Sequence, residues 1–124
     1  MSFSVKSLAV TTSLLVSALT STAVLAHAHL TSAEPAPQSQ LTTSPSRLTL
    51  HFSEDLEPSF SNATVTHQGD KTVSTGKASL SDQEKNTLVA PLNAPLSAGE
   101  YQVAWHALSV DGHKTTGTYI FTVK

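Results

Sequence analysis

The seven residues RLTLHFS, positions 47–53, alternate strictly between apolar and polar side chains. Leu48, Leu50 and Phe52 fall on one side, with Thr49, His51 and Ser53 on the other. A repeat of two residues is that of a half-buried strand, whereas a helix would return its apolar residues every third or fourth position. The same period recurs in YQVAWHA (101–107), through Tyr101, Val103, Trp105 and Ala107, and in TYIFTV (118–123), through Tyr119, Phe121 and Val123. Shorter strand candidates are 63–67, 72–75 and 87–92. Pro35, Pro37, Pro45, Pro58, the Gln68-Gly69-Asp70 triplet, Pro95 and Ser97-Ala98-Gly99 separate them. About seven short strands at this spacing predict an all-β chain, an antiparallel β-sandwich or barrel of immunoglobulin-like, Greek-key type. The polar run SLSDQEKN (79–86) reads as a loop, and neither an internal repeat nor a second-domain linker is visible.

The first 26 residues have a different character. Lys6 is followed by an uncharged stretch from Ser7 to Ala26 that ends in small residues, the pattern of an export signal. Both Val24-Leu25-Ala26 and Ala26-His27-Ala28 resemble signal-peptidase sites. A membrane anchor is the competing reading, but eight of those 20 uncharged positions are Ser or Thr, which is polar for a span. Cleavage after Ala26 would leave residues 27–124, enough for one small domain with one core. Loss of Lys6 would make this part more acidic than the −2 of the full chain. With no basic run, a nucleic-acid partner is not expected. The chain has no cysteine and six histidines, all at or beyond position 27, so thiolate-free metal chemistry is the class to test.

Cleavage between Ala26 and His27 would create a donor that no internal residue has. The α-amine and the imidazole of His27 could close on one ion as a chelate ring, the amine having an ordinary pKa of about 7.7–8.0. A second donor set lies in SVDGHKTTG, where Asp111 and His113 flank Gly112. Residues two apart in an extended segment point the same way, and Gly112 lets the backbone adjust. An amine, two imidazoles and a carboxylate make a nitrogen-rich set that suits Cu(II). Taken alone, the Asp-x-His triplet is more often a solvated turn than a metal site.

These motifs together carry a family resemblance. HAHL after the leader, LHFSEDLEPSFSNATV and PLSAGEYQVAWHALSVDGHKTTGTYIFTVK resemble, in content and order, the CopC family of periplasmic copper-binding, copper-resistance proteins. The resemblance covers residues 27–124 and implies a cupredoxin-like or immunoglobulin-like β-barrel. It further implies one Cu(II) per chain, held by the mature N-terminal His27 with Asp111 and His113. Glu54, in HFSE, stands where some family members carry a glutamate near the copper, as an outer ligand or a partner of the ligands. The implied setting is the periplasm, with copper exchanged with an inner-membrane CopD-like protein, and a monomer is expected. One departure is plain: some relatives hold Cu(I) in a methionine-rich site, and here the only methionine is Met1.

The remaining candidates read as structural. Trp105, with apolar neighbours on its face, is expected in the core, an exposed stacking platform being the alternative. His29 is expected to face solvent, although its place two residues after His27 could bring it to the same ion. His51 reads as an exposed strand residue near the FSED segment, His106 as partly buried and His67 as solvated. Glu54, Asp55 and Glu57 read as a solvated loop rather than a catalytic carboxylate pair. Two rival classes share parts of the pattern. One is a copper enzyme with the N-terminal histidine chelate of the oxidative polysaccharide monooxygenases, and the other is an immunoglobulin-like interaction module whose histidines are incidental.

Overall fold

The computed structural model describes residues 28–124; the expected export signal, residues 1–26, and His27 lie outside the described residues. Nine strands form two sheets within this range. They are β1 (Leu30–Glu34), β2 (Gln40–Leu41), β3 (Arg47–Phe52), β4 (Asn62–His67), β5 (Lys71–Val73), β6 (Ser79–Leu80), β7 (Thr87–Pro91), β8 (Gly99–Leu108) and β9 (Lys114–Val123). One sheet has the order β1-β3-β7-β6 and the other β2-β9-β8-β4-β5. Neighbours run antiparallel except β2 and β9, which are parallel. The chain changes sheet five times, between β1 and β2, β2 and β3, β3 and β4, β5 and β6, and β7 and β8, giving the expected immunoglobulin-like sandwich.

Alternation in sequence becomes alternation in burial. Leu48, Leu50 and Phe52 of β3 are buried, as are Tyr101, Val103, Trp105 and Ala107 of β8 and Tyr119, Phe121 and Val123 of β9. The two faces meet where Phe52 sets its ring edge-on to Trp105, with centroids 5.0 Å apart and planes at 72°, a favoured aromatic geometry. Trp105 is therefore a core residue. Its cross-strand partners are Ala63 on β4 and Gly117 on β9, small enough to leave room for the indole. A Cβ on Gly117 would stand 2.7 Å from Trp105 Cε2, closer than carbon atoms pack.

Several expectations need correction. The strands number nine within the described residues, not about seven, because β1, β2 and β6 are short segments without an apolar alternation. The first two residues of SLSDQEKN belong to β6 and pair with β7. His67 is not solvated: its ring stacks on Tyr101 at 4.3 Å and 10°, and its Nε2 is buried. Tyr101 in turn donates its hydroxyl to the Ser97 carbonyl at 2.7 Å. His106 is exposed, on the outward face of β8. His51 is half-buried, with Nδ1 3.0 Å from Thr87 Oγ1, and lines a polar groove with Arg47, Asp82 and Glu84.

Two stability effects follow from this core. Gly117→Ala should destabilise the domain by about 1–3 kcal/mol through overpacking against Trp105, read as a lowered denaturation midpoint. Tyr119 buries its hydroxyl without a hydrogen-bond partner, and burial pushes its pKa up. A folded pKa above the unfolded value of about 10 leaves stability intact below that pH and erodes it as pH rises further. Tyr119→Phe should therefore be neutral or stabilising at pH 7 and should flatten the alkaline loss seen in melts above pH ~10.

Candidate metal centre

The β8–β9 hairpin ends in a short turn whose backbone fixes the donors. Ser109 N–H donates to the His113 carbonyl at 3.0 Å, closing the hairpin, and Gly112 N–H donates back to the Ser109 carbonyl at 2.9 Å. Gly112 adopts a φ of +96°, a backbone state that favours glycine. The turn thus bends between Asp111 and His113 and sets both side chains on the same side of the hairpin end. Asp111 Oδ1 and His113 Nδ1 lie 3.1 Å from each other, and both side chains are more than two-fifths exposed. Carboxylate and imidazole meet at the protein surface.

Ser109 organises this pair from below. Nearly fully buried, its hydroxyl donates to Asp111 Oδ1 and accepts the His113 amide at 3.3 Å. The Ser109 hydrogen bond first, and the His113 contact second, hold the Asp111 carboxyl below the usual carboxylate range, so it is ionised at neutral pH. Sequence reasoning missed Ser109. Its signal was a serine two residues before an aspartate at a turn, a place where hydroxyls commonly bond to the turn itself.

The segment after β3 packs against the same turn. Val110 N–H donates to the Asp55 carbonyl at 3.0 Å and Glu57 N–H to the Leu108 carbonyl at 2.8 Å, while Leu56 bridges to Ser109. Glu54 therefore lies on a segment docked beside the turn, exposed, without joining Asp111 and His113 in a three-donor cluster. His29 is exposed and sits against Ser53, with Nδ1 3.2 Å from its hydroxyl. Ala28, the first described residue, is fully buried, and its carbonyl accepts the Thr115 hydroxyl at 2.6 Å. The chain's entry into the domain is thus pinned two residues beyond His113 in sequence. Among the described residues no group of three or more His, Asp or Glu side chains converges, and Asp111 with His113 forms a two-donor fragment. Of the sequence-read ligands, the structure brings these two together, and His27 lies outside the described residues.

A family model described as the CopC domain matches residues 30–124. The chain belongs to the CopC family. Protein YobA of Escherichia coli (strain K12) is 41% identical over 124 residues and covers 100% of both chains. Copper resistance protein C of Escherichia coli is 37% identical over 107 residues, or 81% of this chain and 83% of that relative. Among solved structures, PcoC, a methionine rich copper resistance protein from Escherichia coli, superposes with a TM-score of 0.71 at 38% identity, covering 80% of this chain and 100% of PcoC. This CopC-family chain differs from PcoC in one stated respect, since its single methionine is Met1.

Ser109→Ala tests the turn. It should move the Asp111 pKa up, since the first cause of its lowering is removed, and cost about 1–2 kcal/mol of stability by removing a buried hydroxyl's hydrogen bonds. An NMR carboxyl titration and a thermal melt read the two effects, and an unmoved Asp111 pKa would show that Ser109 does not set it.

Proposed function

We propose that the protein is a periplasmic Cu(II)-holding protein, exported through residues 1–26 and starting in mature form at His27. Copper is its cargo, one ion per chain, and is sequestered or passed on rather than used in turnover. The observation that carries this reading is the pinning of Ala28 beside the strand that follows the Asp111–His113 turn. Ala28 is anchored to the strand that leads away from the Asp111–His113 turn, which supports a terminal donor one residue before it as the third ligand. The full burial of Ala28 also favours the cut after Ala26 over the alternative after Ala28, which would remove a core residue.

The donor chemistry fits Cu(II). With Nδ1–H of His113 directed to Asp111, the ring offers Nε2 to an ion, and the carboxylate both orients the ring and offers its second oxygen. Amine, imidazole and carboxylate are borderline or hard donors that suit Cu(II), while thioethers and thiolates suit Cu(I). The mature chain has no cysteine or methionine. Glu54, on its docked segment, is an outer ligand or a partner of the ligands in this reading. Occupation of the site by Asp111 works against an open position for oxygen, which favours holding over catalysis. Family membership and the copper-resistance relatives support the cargo, and an inner-membrane CopD-like protein is the proposed exchange partner of the monomer.

A variant with one residue added before His27 should bind Cu(II) about a hundredfold or more weaker, because one tethered donor is lost from the set. His113→Ala should change the Cu(II) EPR spectrum. Equal affinity in competition titrations, or an unchanged spectrum, removes the corresponding donor from the proposal.

A further inference from the structure

The entry of the chain into the sandwich is held at two successive residues by groups that belong to neither donor set. Thr115 Oγ1 donates to the Ala28 carbonyl at 2.6 Å. One residue on, His29 N–H donates to Ser53 Oγ at 3.0 Å, and Ser53 N–H donates to the His29 carbonyl at 3.0 Å. Ala28, the first of the two held residues, is fully buried and part of the core cluster. The two anchors come from different layers, Thr115 from β9 and Ser53 from the end of β3. They grip adjacent residues where the four-stranded and five-stranded sheets approach.

Such a grip fixes register. A slip by one residue would bring the imidazole of His27 or His29 to the slot that Ala28 fills, and a buried imidazole there would need partners the apolar slot does not supply. Thr115 stands two residues beyond His113, a rise of about 7 Å along a strand. The anchor for Ala28 is thus on the same short stretch of chain that leaves the Asp111–His113 turn. A tethered donor binds with an effective concentration set by how closely its tether matches the gap, and ordering that tether beforehand lowers the cost of binding.

We propose that Thr115 and Ser53 are positioning residues for copper, forming a backbone clamp on Ala28 and His29 that sets the reach of the N-terminal histidine to Asp111 and His113. The inference rests on the reading of His27 as a copper donor. The clamp touches no ion; it raises affinity by restricting the chain that carries the amine.

The test uses the mature protein with Cu(II) alone as probe. Thr115→Val keeps the shape of the side chain and removes the hydroxyl, and should weaken Cu(II) binding by about tenfold, the loss of one hydrogen bond's ordering. Thr115→Ser should restore wild-type affinity and EPR parameters, which a role in packing the threonine methyl would not do. In the metal-free protein, hydrogen exchange at the His29 amide should be faster in Thr115→Val than in wild type. Ser53→Ala provides a second, independent release of the clamp if Thr115→Val does not fold, and should weaken binding in the same direction. Wild-type affinity in either folded variant overturns the clamp. A variant extended before His27 separates the two levels: if it binds as tightly as wild type, the amine-donor reading falls and the clamp's role falls with it. If it binds weakly while Thr115→Val and Ser53→Ala bind normally, the clamp alone falls.

Discussion

The edge-to-face contact of Phe52 with Trp105 is the constraint on which the functional end of the molecule depends. No disulfide ties the sheets, the chain having no cysteine, so the layers are held by interdigitated side chains. Phe52 is the last residue of β3, and Trp105 lies on β8 a few residues before the turn that bears Asp111 and His113. Once those rings engage, the chain leaving β3 is directed along the hairpin, and residues 55–57 dock on residues 108–110 through backbone hydrogen bonds. Gly117 is the complement of this contact, since the indole needs the space that a side chain there would take. A packing choice in the core thus decides what lies beside the surface turn.

The long strands were legible because burial on one face writes a two-residue period into the sequence. Leu48, Leu50 and Phe52, or Tyr101, Val103 and Trp105, announce their strands without any partner being known. β1, LTSAE, has a single buried position, Ala33, and becomes a strand through its pairing with β3. β2 and β6 are two residues long and owe their form to β9 and β7. Edge segments of this kind are specified by neighbours distant in sequence, and local pattern cannot reveal them. The histidines show the same limit. His67 looked solvated beside its turn, yet it is recruited by the Tyr101 ring across the β4–β8 pairing. His106 lies on the outward side of a strand whose inward side is defined by Trp105.

At the candidate centre, spacing revealed the donors but not their support. Asp111 and His113 could be picked out because two chemically competent residues flank a glycine. Ser109 could not be singled out in the same way: a buried hydroxyl that bonds upward to a surface carboxylate is a property of the folded turn, where its amide pairs with His113 and its side chain meets Asp111. Thr115 was hidden for a similar reason, since its hydrogen bond joins positions 87 residues apart. Groups that carry chemistry leave a mark through their type, and groups that hold them in place leave a mark only through contact.

This separation suggests how the two halves of the proposed centre divide the work. The hairpin half is assembled by folding alone: the turn closes on its own hydrogen bonds, and Ser109 and His113 hold the Asp111 carboxyl below its ordinary range. On the proposed reading the other half requires a peptide bond to be cut, because the nitrogen of His27 is an amide without a basic lone pair unless it becomes a terminus. On the proposed reading, copper affinity is therefore tied to export, since the precursor carries the complete fold sequence but lacks one donor atom. A chain built this way does not need a soft sulfur ligand to be selective in time, and the absence of methionine beyond the leader is consistent with a centre tuned to a single oxidation state. On that same reading, selectivity for when copper is held would come from proteolysis, and selectivity for which ion is held would come from nitrogen and oxygen donors spaced by a rigid sandwich.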